Sequence, residues 1–168
     1  MAKVVLKLGD DVSTDLIYPG RYMATVLPTE TPQFAFADLT EFNTRLKAKQ
    51  IPPGSFVVGG KNFGCGSSRE QAVSTLKGYD LLIVADNFAR IFLQNSINLG
   101  LTLVTAPGIE AAEGDELEID GDRLLNKSSG KSVAILQLPK ARQAIMDAGG
   151  LIPYTRRRLL DKRSQGAR

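Results

Sequence analysis

The sequence predicts an α/β protein built around a parallel β-sheet. Three short apolar runs alternate with two amphipathic segments, and the central run is apolar at every position. The runs occupy residues 56–58, 81–85 and 101–104, and the amphipathic segments occupy 68–77 and 88–98. A continuous apolar run suits a strand that is covered on both faces. Strands and helices in this order and at these lengths are typical of parallel strands joined by crossover helices.

The first third of the chain is predicted to contain one strand and one helix, separated by loops. In chain order these are a strand at 3–8, a polar loop at 9–15, an exposed loop at 23–32 and a helix at 38–50. The helix is predicted from the spacing of Leu39, Phe42 and Leu46, and it ends before Pro52. The exposed loop holds three threonines and two prolines, and such loops often carry specificity on a rigid scaffold.

The last third of the chain changes from a parallel to an antiparallel pattern. Short runs at 115–120, 122–125 and 132–138 are separated by Gly-Asp and Ser-Ser-Gly turns, which predicts three antiparallel strands. A closing helix is predicted at 139–148 and ends at Gly149. Since no internal repeat or linker interrupts the chain, residues 1–155 are expected to form a single domain.

The C-terminal residues 156–168 form a separate, basic segment. They hold six Arg or Lys side chains and one acidic residue, Asp161, whereas the rest of the chain holds 15 basic and 17 acidic residues. Basic tails are most often solvated ends, so this segment is expected to be disordered. Nucleic-acid binding is not expected, because no aromatic residues alternate with the basic ones and no nucleic-acid-binding motif is found.

Composition restricts the chemistry available to this chain. It has one cysteine, Cys65, and no histidine, which excludes an internal disulfide, a Ser-His-Asp triad and a zinc site of the usual kinds. One thiol cannot hold an iron–sulfur cluster, so neither a metal nor a cofactor is expected on this chain. No apolar run reaches the ~20 residues that cross a bilayer, and the N-terminus does not fit a signal peptide. A cytoplasmic protein without membrane contact is therefore expected.

A glycine-rich loop between the strand at 56–58 and the helix at 68–77 is the candidate binding site. It places four glycines within eight residues, 59–66, and ends at Ser67 and Arg69. Ser67 with Glu70 three residues later fits a capping box, which predicts that Ser67 caps the helix. A helix start and a nearby guanidinium both favour an anion. The spacing fits neither a Walker A loop nor a dinucleotide-binding fingerprint, and on this pattern alone a purely structural cap is the favoured explanation of Ser67.

Three motifs, taken together and in this order, identify a family. They are Gly9-Asp10-Asp11-Val12-Ser13-Thr14-Asp15, then Asn62-Phe63-Gly64-Cys65-Gly66-Ser67-Ser68-Arg69-Glu70, then Ala89-Arg90-Ile91-Phe92 with Asn95 and Asn98-Leu99-Gly100-Leu101. This set resembles the small subunit of 3-isopropylmalate dehydratase over roughly residues 3–150. That family in turn resembles the mobile C-terminal domain of aconitase, so the resemblance implies a swivelling β/β/α domain.

The resemblance also implies a reaction and roles for individual residues. The reaction would be the dehydration of a 2-hydroxy-dicarboxylate and rehydration of the alkene, in leucine biosynthesis. A 4Fe-4S cluster would lie on a separate large subunit, and this chain would close the active site as the small subunit. Ser67 matches the catalytic serine, Arg69 would bind a substrate carboxylate, and Ser68 and Asp15 would line the pocket. For Asp15 a purely structural role in its turn is equally well supported. Cys65 would be a small buried filler rather than a ligand.

Two departures from the family pattern bear on the substrate. Gln71 stands where the family usually has histidine, which leaves the role of that position open. The segment Tyr22-Met23-Ala24-Thr25 differs from the usual Tyr-Leu-Val-Tyr. Homoaconitase relatives place an arginine near Ala24 to meet an extra carboxylate, and this chain offers none there. An apolar substituent is therefore favoured, with 2-isopropylmalate first and another alkylated malate, such as 2,3-dimethylmalate, as the alternative. A non-catalytic anion-binding or assembly module is the third hypothesis.

Overall fold

A computed structural model describes residues 2–166, with side chains through residue 164. The strands described are β1 Ala2–Lys7, β2 Phe56–Val58, β3 Leu82–Ala85, β4 Leu103–Thr105, β5 Glu116–Asp120, β6 Arg123–Asn126 and β7 Lys131–Ala134. The α-helices described are α1 Thr14–Ile17, α2 Thr40–Lys47, α3 Glu70–Lys77, α4 Arg90–Leu99, α5 Lys140–Asp147 and α6 Leu151–Gly166. Short 3-10 helices occupy Gly20–Tyr22 and Thr31–Phe34.

The seven strands form one mixed sheet in the order β4-β3-β2-β1-β5-β6-β7. The first four strands are parallel to one another, and β5, β6 and β7 continue the sheet in antiparallel pairs. The predicted parallel core and the predicted antiparallel strands are therefore both confirmed. β1 joins the two halves, because it pairs with β2 on one side and with β5 on the other.

The two central parallel strands, β2 and β3, are buried on both faces, which explains their continuous apolar sequences. Val57 and Ile83 belong to a core cluster that also holds the apolar faces of α2 and α3. Phe56 and Val84 point the other way, into a second cluster completed by Leu117 of β5 and others. Successive residues of a strand face opposite sides of the sheet, so these short apolar segments fill both cores. The second cluster shows that the antiparallel half curls over one face of the parallel half.

The helix beginning at Glu70 corrects the expected role of Ser67. α3 has Arg69 at its N-cap, without a side-chain capping hydrogen bond, so Ser67 and Ser68 lie in the preceding loop. Ser67 is therefore not a helix cap, and the Ser67–Glu70 capping box does not form. Instead of capping α3, Ser67 contacts Thr14, which lies 53 residues earlier in the chain. The predicted polar loop at 9–15 is also interrupted, because it contains the first residues of α1, capped by the Ser13 hydroxyl.

The basic C-terminal segment differs from the disorder expected for it. Through Gly166 it continues α6, which begins at Leu151, five residues before the basic segment. α6 contacts α4 and α5 but leaves Ile152, Leu159 and Leu160 more than half exposed. Since the helix runs through residue 155, no element ends at the expected domain boundary. Over the part of the chain that the structure describes, no helix is long and apolar enough to span a membrane.

Candidate active site

The loops that follow β1, β2 and β3 meet at the carboxyl edge of the parallel sheet. Backbone hydrogen bonds join them, from Gly60 N to the Gly9 oxygen at 2.9 Å and from Gly64 N to the Val12 oxygen at 2.7 Å. Phe63 N donates to the Asn87 oxygen at 3.1 Å, which ties in the loop after β3. The carboxyl edge is where open α/β sheets bind ligands. The topology thus brings the glycine-rich loop and the 9–15 segment together.

Carboxylate and amide side chains brace these loops. Asp10 Oδ1 accepts from Lys61 N at 2.7 Å, and Asp11 Oδ1 accepts from Asn62 Nδ2 at 2.7 Å. Asn87 Oδ1 accepts from Asn62 N at 2.9 Å. Such bonds hold an otherwise flexible glycine loop in one conformation. The acidic residues of the first family motif therefore act as internal supports of the loop.

Two glycines are required for the path of the loop. Gly64 has a φ of +81° and lies against the ring of Phe92, which would overlap any added Cβ. Gly66 has a φ of +93°, a conformation that L-residues rarely adopt. Between them, Cys65 is half-buried, and its Sγ donates to the Asp11 oxygen at 3.4 Å. Cys65 is therefore less buried than expected for a simple filler.

Thr14 connects the first motif to Ser67. It is almost fully buried, and its Oγ1 donates to the carbonyl oxygen of Ser67 at 3.0 Å. The same Oγ1 lies 3.3 Å from Ser67 Oγ. A hydroxyl has one hydrogen, so while that of Thr14 points to the carbonyl, Ser67 is the donor between the two hydroxyls. This contact fixes Ser67 in the loop, where the side chains of Ser67 and Ser68 are exposed.

Four consecutive backbone N–H groups are unpaired beside these hydroxyls. Within the described chain, no acceptor receives a hydrogen bond from the N–H groups of residues 66–69. They precede the first turn of α3, whose own leading N–H groups also lack intrahelical acceptors. Unpaired N–H groups next to a helix N-terminus favour negative charge. The segment around Ser67 can therefore stabilise an anion.

Arg69 joins the loop to α1. Its Nη1 donates to Asp15 Oδ1 and, at 3.2 Å, to the carbonyl oxygen of Tyr18. The Arg69 side chain is 13% exposed and that of Asp15 is 62% exposed, so the pair lies at the rim of the site. The buried Nε of Arg69 has no acceptor among the residues described. The Nε–H group therefore remains a donor that a carboxylate could bind.

The Arg69 hydrogen bond lowers the pKa of the Asp15 carboxyl below its ordinary value, and the Gly20 backbone N–H adds to this effect. Asp15 is therefore a negatively charged partner of Arg69 at neutral pH. The Asp15 carboxylate orients the Arg69 guanidinium, and a substrate carboxylate that approaches Arg69 must compete with it. The structure thus brings Asp15, Ser67, Ser68 and Arg69 to one edge of the sheet.

The segment Tyr22–Thr25 is held near Asp15 and Arg69 by Tyr18, whose hydroxyl contacts the backbone oxygens of Tyr22 and Thr25. Tyr22 stacks on Phe34, with ring centroids 4.1 Å apart, and the Arg21 guanidinium carbon lies over the Tyr22 ring, 4.6 Å from its centroid. Met23 and Ala24 are exposed. Tyr18 connects the segment to Arg69, because its hydroxyl contacts the Tyr22 and Thr25 oxygens and its own carbonyl oxygen accepts from Arg69.

Gln71 lines a separate small cleft. This cleft has a volume of about 250 Å³, and its walls are formed by Val26, Pro28, Glu70, Gln71, Ser74 and Leu99. Gln71 is half-buried there, one helical residue after Glu70. The position at which the family usually has histidine thus faces Val26 and Pro28 of the exposed loop.

Sequence reasoning missed Thr14 and Tyr18. Thr14 belongs to the Ser13-Thr14-Asp15 motif, which was a signal, but only the fold reveals that its hydroxyl meets Ser67 across 53 residues of chain. Tyr18 had no signal beyond its place beside a turn. Within residues 2–166, no group of three or more His, Cys, Asp or Glu side chains is arranged to hold a metal ion.

Comparison with known proteins agrees with the geometry. The aconitase C-terminal domain family matches residues 11–107. The chain is 40% identical to the isopropylmalate/citramalate isomerase small subunit of Methanocaldococcus jannaschii, covering 94% of both chains. It is 41% identical to the methanogen homoaconitase small subunit of the same organism, covering 96% of this chain and 95% of that one.

A bacterial relative and a solved structure extend this agreement. The 3-isopropylmalate dehydratase small subunit of Aquifex aeolicus is 41% identical, covering 94% of this chain and 95% of that one. The crystal structure of a 3-isopropylmalate dehydratase from M. jannaschii superposes with a TM-score of 0.87 at 36% identity, covering 97% of both chains. The expected fold, that of the aconitase C-terminal domain, is therefore confirmed. The chain belongs to the family of 3-isopropylmalate dehydratase small subunits.

Proposed function

We propose that this chain is the small subunit of a hydro-lyase that converts 2-isopropylmalate to 3-isopropylmalate, in leucine biosynthesis. The observation that carries the proposal is the Ser67 hydroxyl, which lies 3.3 Å from Oγ1 of the buried Thr14, in a loop segment that ends at Arg69 and whose N–H groups at residues 66–69 are unpaired within the described chain. A proton acceptor and a carboxylate-binding cation within one short loop suit a substrate whose reacting C–H bond is next to a carboxylate.

Ser67 is proposed as the base. In its alkoxide form it takes a proton from the carbon next to the substrate carboxylate while the hydroxyl group leaves the neighbouring carbon, which gives the alkene. Rehydration with the opposite regiochemistry returns that proton and places the hydroxyl one carbon away. An alkoxide is accessible at neutral pH only if its charge is stabilised, and preorganised N–H donors provide such stabilisation.

Thr14 is proposed to assist Ser67. When Ser67 has lost its proton, the Thr14 hydrogen can turn from the Ser67 carbonyl to the Ser67 oxygen 3.3 Å away. A charge-assisted bond to an anionic oxygen is stronger than one to a neutral carbonyl. Because Thr14 is almost fully buried, its hydroxyl has few competing partners.

Arg69 is proposed to bind a substrate carboxylate, and Ser68 to contact the same group. The support is the buried Arg69 Nε, which lacks an acceptor among residues 2–166. Asp15 holds the opposite side of the guanidinium through Nη1. The substrate would therefore meet an arginine that is already oriented, which lowers the entropic cost of binding.

An iron–sulfur cluster is implied by the family, and the residues of this chain do not fit one. Cys65 is the single cysteine, and its thiol is bonded to the Asp11 carbonyl oxygen. A 4Fe-4S cluster is therefore proposed on a large partner subunit, where it would act as a Lewis acid on the leaving hydroxyl group. The contribution of this chain is limited to the proton transfer and the carboxylate contacts.

The substrate substituent is proposed to be apolar. The segment Tyr22, Met23, Ala24 and Thr25, whose two central residues are exposed, offers no cation at Ala24 to an additional carboxylate. The second candidate keeps the chemistry with another alkylated malate, such as 2,3-dimethylmalate. The small Ala24 side chain favours this candidate. A relative that is 40% identical to this chain is named for both isopropylmalate and citramalate, which also supports it. The relative named as a homoaconitase shows that overall identity does not separate these substrates.

The test is turnover of 2-isopropylmalate by this chain alone and after mixing with a cluster-loaded large subunit. Activity in the mixture alone would establish the small-subunit function, and a panel of alkyl malates and a tricarboxylate would then define the substrate. Complex formation without turnover of any of these acids would support the third hypothesis, a non-catalytic anion-binding or assembly module. A cytoplasmic location, and a lack of contact with membranes and nucleic acid, stay predictions.

A further inference from the structure

Tyr18 lies between the arginine and the segment that are proposed to contact the substrate. Its side chain is fully buried, with an exposed fraction of 0%. Its carbonyl oxygen accepts from Arg69 Nη1 at 3.2 Å. Its hydroxyl lies 3.0 Å from the Tyr22 oxygen and 3.2 Å from the Thr25 oxygen, and donates between them. One buried residue therefore contacts both parts of the site.

The surroundings of Tyr18 favour a rigid connection. Its ring meets Phe34 edge-on at 6.1 Å, and the Phe34 ring stacks on Tyr22. The Tyr22 oxygen also accepts from Thr25 N at 2.9 Å, so the Tyr18 hydroxyl closes a turn that is already hydrogen-bonded. Since tyrosine has only two side-chain torsions, a packed ring transmits a displacement with little loss.

We propose that Tyr18 is a positioning residue that couples the carboxylate contact at Arg69 to the conformation of Tyr22–Thr25, and thereby sets which malate substituent is accepted. The substrate part of this inference rests on the proposed function, whereas the anchoring part does not. A substrate carboxylate that shifts Arg69 also shifts the Tyr18 backbone. The Tyr18 hydroxyl then carries that shift to the two carbonyl groups that shape the segment.

Tyr18→Phe tests the inference, because it removes one oxygen and keeps the ring. The matched control is Tyr79→Phe, since Tyr79 is half-buried between α3 and β3 and its hydroxyl bonds to no other residue that the structure describes. Amide hydrogen exchange of the isolated chain is measured first. Tyr18→Phe is expected to speed exchange of the Thr25 amide about 10-fold, the effect of losing one hydrogen bond, while Tyr79→Phe leaves it unchanged. Equal exchange rates of the Thr25 amide in wild type and Tyr18→Phe would show that the Tyr18 hydroxyl does not hold this segment.

Turnover by the complex with the large subunit is measured second. If the wild-type complex turns over none of the malates, the proposed function is contradicted. The hydrogen-exchange result then still decides whether the Tyr18 hydroxyl holds the segment Tyr22–Thr25. Given wild-type turnover, Tyr18→Phe is expected to reduce the ratio of kcat/KM between the best and the next alkyl malate about 10-fold, mainly through KM. An unchanged ratio despite faster Thr25 exchange would overturn the coupling. Should Tyr18→Phe not fold, Phe34→Leu replaces it, with the same two expectations, because Phe34 packs against both Tyr18 and Tyr22.

Discussion

Thr14 Oγ1 lies within hydrogen-bonding distance of both oxygens of Ser67, 3.0 Å from the carbonyl and 3.3 Å from the hydroxyl. The two residues belong to separate motifs that follow different parallel strands. Their contact explains why Ser67 precedes α3 instead of capping it, and it gives the candidate base a buried hydroxyl neighbour. The catalytic role of this contact can be tested apart from its structural role.

Thr14→Val keeps the shape of the side chain and removes its hydroxyl. We expect kcat of the assembled complex to fall roughly 10²-fold, the usual loss for one donor to a developing anion. The acid limb of the pH profile of kcat/KM should move to higher pH, because a less stabilised Ser67 alkoxide needs a higher pH to form. Thr14→Ser, which retains the hydroxyl, is expected to stay close to wild type. A purely structural role predicts lower stability in Thr14→Val with an unchanged pH profile.

Ser67→Ala removes the proposed base. Turnover is expected to fall by roughly 10²- to 10⁴-fold, the usual contribution of general base catalysis, while the complex with the large subunit still forms. Ser68→Ala is the matched control, because it removes the neighbouring exposed hydroxyl. It should raise KM with a smaller effect on kcat. Steady-state kinetics with a size-exclusion measurement of assembly separate these results, and near wild-type kcat in Ser67→Ala would refute the assignment.

The Asp15–Arg69 pair predicts a specific dependence of stability on pH. Because Arg69 lowers the pKa of Asp15 in the folded chain, the unfolded chain binds the proton more readily. The pair therefore stabilises the fold above the unfolded pKa of about 3.9, and this stabilisation is lost as pH falls towards the lower, folded pKa.

Asp15→Asn should accordingly differ from wild type by a constant amount between about pH 5 and pH 8, and the difference should narrow below about pH 4. It should be small, since the Asp15 side chain is 62% exposed and its charge is screened by solvent. Urea denaturation midpoints across this range provide the measurement. A difference that widens in acid would show that the sign of the Asp15 pKa shift is wrong.

Gly64→Ala tests the packing of the glycine loop. The substitution places a Cβ at a φ of +81° and against the Phe92 ring, so we expect a loss of about 2–4 kcal/mol in the free energy of unfolding. Gly54→Ala is the matched control, because Gly54 has a φ of +78° but no atom within 4 Å of an added Cβ. It should cost only about 1 kcal/mol. Equal losses in the two variants would show that the contact with Phe92 is not tight.

The strands of the parallel core could be predicted from the sequence because their own residues determine them. Val57 and Ile83 face one core, and their strand neighbours face the other, so every position of β2 and β3 is apolar. The start of α3 could not be predicted, because the capping pattern at Ser67 is local and its contact with Thr14 is not. α6 was missed for a related reason. Its many arginines resemble a solvated tail, and its few contacts with α4 and α5 leave little apolar periodicity to detect.

Only part of the site could be predicted, because some of its residues are neighbours in the sequence and others meet only in the folded chain. Ser67, Ser68 and Arg69 are consecutive and belong to one recognisable motif, whereas the partners of these residues come from another part of the chain. The Asp15–Arg69 bond joins residues 54 positions apart. The Tyr18 contacts depend on a buried ring whose surroundings exist only in the folded chain.

Ala24→Arg tests the proposed origin of substrate preference. Ala24 is exposed in the segment between Tyr22 and Thr25, so an arginine can be accommodated there without disturbing the core. A guanidinium offers a charge-assisted hydrogen bond to an additional carboxylate, which is worth roughly 10- to 100-fold in binding. We therefore expect the ratio of kcat/KM for a tricarboxylate to that for 2-isopropylmalate to rise by about this factor.

Ala24→Gln is the control for Ala24→Arg, because it adds a long polar side chain without the charge. It should lower turnover of 2-isopropylmalate by crowding the substituent, with no gain for the tricarboxylate. Kinetics of both variants in complex with the large subunit provide the comparison. If the two variants change the ratio equally, side-chain size rather than charge at residue 24 governs the choice of substrate. The absence of a cation at Ala24 would then no longer argue for an apolar substituent.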